Sequence, residues 1–240
     1  MKKLLFFLLL TPLFASQITI AVATNVSYAI KSLVKDFNKL YPDVNVRVVL
    51  GSSGKLTAQI KNHAPYDIFL SANMKYPWYL YKNGYAFTRP VVYARGALAF
   101  FAPKKTVNSI EDIKNLNKIA MPNPSLAPYG KAAQEFLHNK WWDLHDKIVF
   151  TETVTQALSY ALAATDGAFV AKSALYSPKM KKYKEGVHWI EIPSKYYEPI
   201  NQGIVLLSRA KSNKNAAAFY TYMLSKRAAE ILEKYGYIVK

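Results

Sequence analysis

The order of elements constrains this chain more than any single motif does. Short apolar runs rich in β-branched residues alternate with stretches whose apolar residues recur at helical spacing, and the alternation breaks once and then resumes. Residues 18–23 (ITIAVA) read as a strand, and residues 27–40 place Ile30, Leu33, Val34, Phe37 and Leu40 along one helical face. Tyr41-Pro42-Asp43 stops that helix, since proline lacks the N–H and clashes with the preceding turn. Residues 44–50 (VNVRVVL) form the next strand, Gly51-Ser52-Ser53-Gly54 leads into a helix through Ile60, and residues 67–71 (DIFLS) make a third, buried strand. Strands separated by helices predict an α/β protein with a mostly parallel, covered sheet.

The pattern changes at residues 93–101 (YARGALAFF), a long strand-like run, after which a second alternation begins. Its strands fall near 119–121, 148–151 and 167–171, with helices at about 130–138 and 155–164 between them. Residues 201–208 (NQGIVLLS) form a further apolar strand, and helices at 216–224 and 228–235 close the chain. Two α/β units joined by extended segments near 93–99 and 198–206 predict two lobes, a hinge of two crossing strands and a ligand cleft between them. The expected division is 16–92 with 203–240 for the first lobe, and 93–202, hinge segments included, for the second. Closure about such a hinge is the motion of binding proteins that trap a ligand.

Residues 1–15 are set aside from the fold. Lys2 and Lys3 precede an apolar run from Leu4 to Leu10, and the segment ends on the small residue Ala15, the pattern of a cleavable secretory signal. The run is far shorter than the roughly 20 apolar residues of a membrane-spanning helix. A mature chain from Ser16, placed in the periplasm, is expected. There is no cysteine, which removes disulfides, thiolate metal sites and a lipid-modified N-terminal cysteine. The net charge of +17 makes the surface attractive to anions. The basic residues are spread along the chain without a helix-turn-helix, zinc-finger or aromatic RNA-binding signature, so no nucleic-acid partner is expected.

Four places share one grammar, in which a strand ends, a short loop rich in Ser, Thr, Gly or Pro follows, and a helix begins: Ala23-Thr24-Asn25, Gly51 to Gly54, Ala127 to Gly130, and Glu152 to Thr155. A helix start presents unpaired N–H groups and the positive end of the helix dipole, so each is an anion contact in waiting. Any one of them is as well explained as an ordinary N-cap. The set of four, two in each expected lobe, points to an anion held by amides and hydroxyls.

Several ordered segments carry a resemblance to a known family. AVATNVSYAI, GSSGKLTAQIKNHAPYDIFLSAN, PNPSLAPYGKAAQEFL and AAEILEKYGYIVK are together similar to the periplasmic molybdate-binding proteins of the type II binding-protein fold, over nearly the whole mature chain. The resemblance implies a monomeric substrate-binding protein that captures molybdate or tungstate and delivers it to the membrane permease of an ABC transporter. It carries the oxyanion contacts onto Thr24, Asn25, Ser53, Tyr129 and Val154, with hydroxyl and N–H from Thr24 and Ser53, and mainly backbone N–H from the other three. One departure stands out: some members place a ligating tyrosine where this chain has Val170 and Ala171.

The chemistry of the ligand agrees. Molybdate and tungstate accept hydrogen bonds only, whereas hydrogen phosphate carries a proton that needs an acceptor. Glu152 is the only carboxylate in the four loops, and it is expected to act on its helix start. Sulfate is also a pure acceptor and remains an alternative. Ferric iron is another, because Tyr196-Tyr197-Glu198 resembles adjacent iron-ligating tyrosines, although no histidine precedes His63. Packing beside the hinge is the plainer reading of those tyrosines. An enzyme is disfavoured: His63, His138, His145 and His188 show no metal spacing, and neither a G-x-S-x-G elbow nor a phosphate loop is present. No cofactor and no metal cation are expected.

Overall fold

The computed structural model describes residues 16–140 and 142–239. The expected signal segment and Trp141 lie outside these residues. In chain order the elements are β1 (Ser16–Ala23), a 3-10 turn (Thr24–Val26), α1 (Ser27–Leu40), β2 (Val44–Gly51), α2 (Ser53–Lys61), β3 (Ile68–Ser71), α3 (Lys75–Lys82) and β4 (Val91–Gly96). They continue with β5 (Leu98–Phe101), β6 (Ile119–Pro122), α4 (Pro128–Asn139), β7 (Ile148–Thr151), α5 (Val154–Ala163), β8 (Gly167–Ala171), α6 (Lys172–Leu175) and β9 (Trp189–Glu191). The last are β10 (Ile200–Leu206), α7 (Lys214–Met223) and α8 (Lys226–Glu233).

The strands form two five-stranded sheets, ordered β2-β1-β3-β10-β4 and β7-β6-β8-β5-β9. Each combines three parallel strands with antiparallel ones: β10 runs against β3 and β4, and β5 runs against β8 and β9. The sheets are therefore mixed rather than mostly parallel. The parallel members are linked by helical crossovers, while the strands crossing between sheets take their direction from the connection, not from a crossover.

The run at 93–101 is two strands, not one. It breaks at Ala97, leaving β4 in the first sheet and β5 in the second. β4 and β10 pair from Ile200↔Gly96 onward, so the expected divisions at 92/93 and 202/203 cut through paired strands. Sheet membership changes instead at Ala97 and again just before Ile200.

Both sheets are covered on both faces, and strand alternation sorts their side chains. In β1, Ile18, Ile20 and Val22 pack against Leu33 and Phe37 of α1, Phe219 and Met223 of α7 and Leu232 of α8, while Ala21 faces Leu56 of α2 and Leu80 of α3. In β5, Phe100 joins Phe169 and Phe136, and Phe101 faces Ala157 and Ala161 of α5. The Phe136 ring meets Phe169 edge-on at 5.8 Å and half-buried Trp142 at 5.4 Å, so aromatic side chains pack this core. Two elements carry weak signals in sequence: α3 (KYPWYLYK) has Pro77 in its first turn, and β9 is three residues long.

Candidate oxyanion site

The four strand-to-helix loops converge where the two sheets face each other. In α2, Ser52 is the N-cap and its hydroxyl accepts from Lys55 N, so Ser53 is the first helical residue. In α5, Thr153 caps by accepting from Gln156 N, and Val154 comes first. In α4 the first residue is Pro128 and the second Tyr129. The capping side chains are engaged with their own helices, and Ser53, Tyr129 and Val154 occupy positions whose N–H groups have no acceptor within the helix. Thr24 and Asn25 form the 3-10 turn that ends β1.

Contacts across the two bodies bring these residues together. Gly54 N donates to Leu126 O at 3.1 Å, joining the start of α2 to the loop before α4. Thr155 Oγ1 donates to Thr24 O at 3.2 Å, and Ser173 Oγ to Asn25 O at 3.0 Å. Ala23 and Ala72, flanking the first-sheet loops, share an apolar cluster with Tyr129 and Val154. All five candidate residues are buried, with Asn25, Ser53 and Tyr129 each 1 % exposed, so the two bodies are closed upon one another here. Two broad surface hollows, of about 650 and 510 Å³, lie elsewhere, behind the hinge beside α8 and at the ends of α2 and α3; none of the five residues lines them.

The hydroxyl of Ser53 accepts from Ala72 N at 3.0 Å, which fixes its oxygen and leaves its proton available to an acceptor in the cleft. The helix start behind Tyr129 depends on Gly130: a Cβ there would lie 2.1 Å from Pro122 O, so only glycine lets α4 begin this close to the end of β6. The Tyr129 ring runs the other way, and a Cβ at Gly96 of β4 would lie 2.1 Å from its hydroxyl. Burial, with the nearby Tyr237, Tyr93 and Tyr197 adding to it, holds the Tyr129 hydroxyl well above its usual pKa, so it stays neutral.

No lysine or arginine is buried among the described residues. Lys55, third residue of α2, is exposed, and its Nζ pairs with Glu152 at 2.8 Å. Glu152 thus bridges the lobes through an ion pair, a role its loop did not announce. Val170 and Ala171 are buried in the core of the second sheet. Tyr197 accepts from Leu98 N at 3.0 Å, and Tyr196 packs edge-on to Phe136 at 5.7 Å, so both adjacent tyrosines have structural partners. Among the described residues no group of three histidine, cysteine or acidic side chains is placed to hold a metal ion.

Sequence reasoning missed the side chains that support Asn25. Its Nδ2 donates to Gln202 Oε1 at 2.8 Å and to the Tyr237 hydroxyl at 2.9 Å. The one available signal was Gln202 itself, a large polar residue inside the apolar run of β10.

Comparison with known proteins fits this geometry. The family model described as bacterial extracellular solute-binding protein matches residues 18–238. The molybdate-binding protein ModA of Azotobacter vinelandii is 32 % identical over 234 residues, covering 93 % of this chain and 90 % of that protein. ModA of Rhodobacter capsulatus is 32 % identical over 235 residues, covering 95 % and 91 %. The solved structure of the Azotobacter vinelandii periplasmic molybdate-binding protein superposes with a TM-score of 0.85 at 30 % identity, over 93 % of this chain and 99 % of that one. Its two mixed sheets and these matches along nearly the whole described length agree: the chain belongs to the bacterial extracellular solute-binding protein family.

Proposed function

We propose that this protein captures molybdate, and tungstate with it, in the periplasm and delivers the anion to the permease of an ABC transporter, acting as a monomer and not as an enzyme. The observation that carries the reading is the burial of Thr24, Asn25, Ser53, Tyr129 and Val154 at four helix-starting loops, with no buried cation among the described residues. A tetrahedral dianion that only accepts hydrogen bonds suits a pocket of N–H and hydroxyl donors, and helix starts stabilise its charge without a paired lysine or arginine. The relatives named for molybdate support the choice of anion.

In this reading the contacts are Thr24, Asn25, Ser53, Tyr129 and Val154. Thr24 and Ser53 contribute hydroxyls as well as N–H groups, and Tyr129 contributes its N–H while its ring faces the hinge. The lobes are residues 16–96 with 200–239, and 97–199, and they close by rotation about the two connections. The test is calorimetric titration of the ligand-stripped protein with molybdate, tungstate, sulfate and phosphate, beside Ser53→Ala. One-to-one binding of the first two, weakened roughly tenfold or more in the variant as expected for a hydrogen bond to a charged group, supports the reading. Equal binding of sulfate moves the assignment to that anion, and silence from all four overturns it.

A further inference from the structure

The C-terminal Tyr-Gly-Tyr segment has no part in the anion contacts described above, yet it reaches the site. After α8 the chain turns through Gly236, with φ +74°, and Tyr237 enters the interior at 4 % exposure. Ile238 then pairs with Arg95 of β4 by two backbone hydrogen bonds, of 2.8 and 2.9 Å. The tail is thus clamped on a hinge strand while its tyrosine points at Asn25.

The Tyr237 hydroxyl makes two bonds to that one residue. It accepts from Asn25 Nδ2 at 2.9 Å and donates to Asn25 O at 2.9 Å. The other amide proton of Asn25 goes to Gln202 Oε1, and Gln202 sits where the β10–β4 pairing shifts register. Asn25 O also receives Ser173 Oγ, from α6 in the other lobe, and that hydroxyl lies 3.3 Å from the Tyr237 oxygen. The bonds from Tyr237 and Gln202 lie within the first lobe and its hinge, whereas the bond from Ser173 exists only when the lobes are together.

We infer that Tyr237 is a positioning residue: its hydroxyl holds Asn25 in the geometry that meets the anion and presents Asn25 O to Ser173 on closure, so the C-terminal tail sets how long the closed form keeps its ligand. The inference rests on the oxyanion reading above. A buried polar group held by three partners is fixed far more tightly than one held by two, and losing one partner, whether the Ser173 hydroxyl with its one bond or the Tyr237 hydroxyl with its two, is worth roughly three- to thirtyfold in an equilibrium. Since Ser173 engages after the anion has entered, the effect falls on release.

The test compares the wild type with Tyr237→Phe, Ser173→Ala and the double variant, using stopped-flow association and release of molybdate, with amide exchange of residues 24–26 in the ligand-free protein. The expected result is release faster by roughly three- to thirtyfold in each single variant, association within about twofold of wild type, and a double variant less than multiplicative. Exchange at 24–26 quickens in Tyr237→Phe while β1 is unchanged. A variant that melts earlier yet releases molybdate and exchanges at 24–26 as the wild type does overturns the inference and leaves Tyr237 a packing residue. If the wild type binds no oxyanion, the functional reading fails, and unchanged exchange at 24–26 then refutes the positioning role on its own.

Discussion

Gly130→Ala separates two physical effects of opposite sign. In an exposed helix the change stabilises by up to about 1 kcal/mol, because alanine loses less backbone freedom on folding. Here the added methyl carbon would sit 2.1 Å from Pro122 O and 2.7 Å from Pro122 C, where real contacts do not fall below 3.0 Å, and both atoms are backbone at the end of β6. The start of α4 must retreat by roughly 1 Å, and overpacking of this kind costs about 1–3 kcal/mol, which outweighs the propensity gain. Tyr129 moves with it, and in the proposed site this draws its N–H away from the anion; a hydrogen bond to a charged group is worth about 1.5–3 kcal/mol, so the dissociation constant is expected to rise roughly 10- to 150-fold. Urea denaturation of the ligand-free protein and calorimetry with molybdate read the two effects separately. A variant at least as stable as wild type with unchanged affinity would refute the close-approach argument.

Other outcomes follow from the same geometry. Asp36 is bound by Arg227, Lys39 and Tyr222, and the Arg227 guanidinium above all holds its carboxyl far below the usual range. Its folded pKa is depressed, so its contribution is present above the unfolded value near 4 and is lost as the pH falls towards the folded one. Asp36→Asn accordingly lowers the denaturation midpoint at pH 7, and the gap to wild type narrows by pH 3. The pair Lys55–Glu152 is half exposed, so Lys55→Met changes molybdate release by no more than about fivefold in surface plasmon resonance, the range of a surface ion pair. Phe136→Ala empties the aromatic cluster between α4 and β8 and lowers unfolding free energy by about 3–5 kcal/mol in guanidinium titration.

How much was legible in the sequence depended on how local each signal was. Residues 27–40 announce α1 through apolar spacing and the Pro42 stop, and α1 spans those residues. The starts of α2, α4 and α5 were readable because Ser, Thr and Pro at helix starts act within four residues of chain. The run at 93–101 reads as one strand because no proline or turn cluster interrupts it, and only the sheet partners, far away in sequence, divide it at Ala97. The support of Asn25 was hidden for the same reason. Gln202 and Tyr237 lie 177 and 212 residues from it, and nothing near Asn25 requires a tyrosine hydroxyl at the end of the chain.

β10 is not an edge strand of its sheet; it lies between β3 and β4. The first sheet therefore cannot be completed without residues 200–206, while the second, built from 98–191, is contiguous in sequence. A chain emerging amino end first makes β1, β2 and β3 early and must hold them without their antiparallel neighbours for most of synthesis. Loop-closure entropy sets against pairing strands so distant, so the first lobe folds late and slowly. Interruption between Glu191 and Ile200 leaves a complete second sheet attached to an open first one, a fragment prone to aggregation and proteolysis.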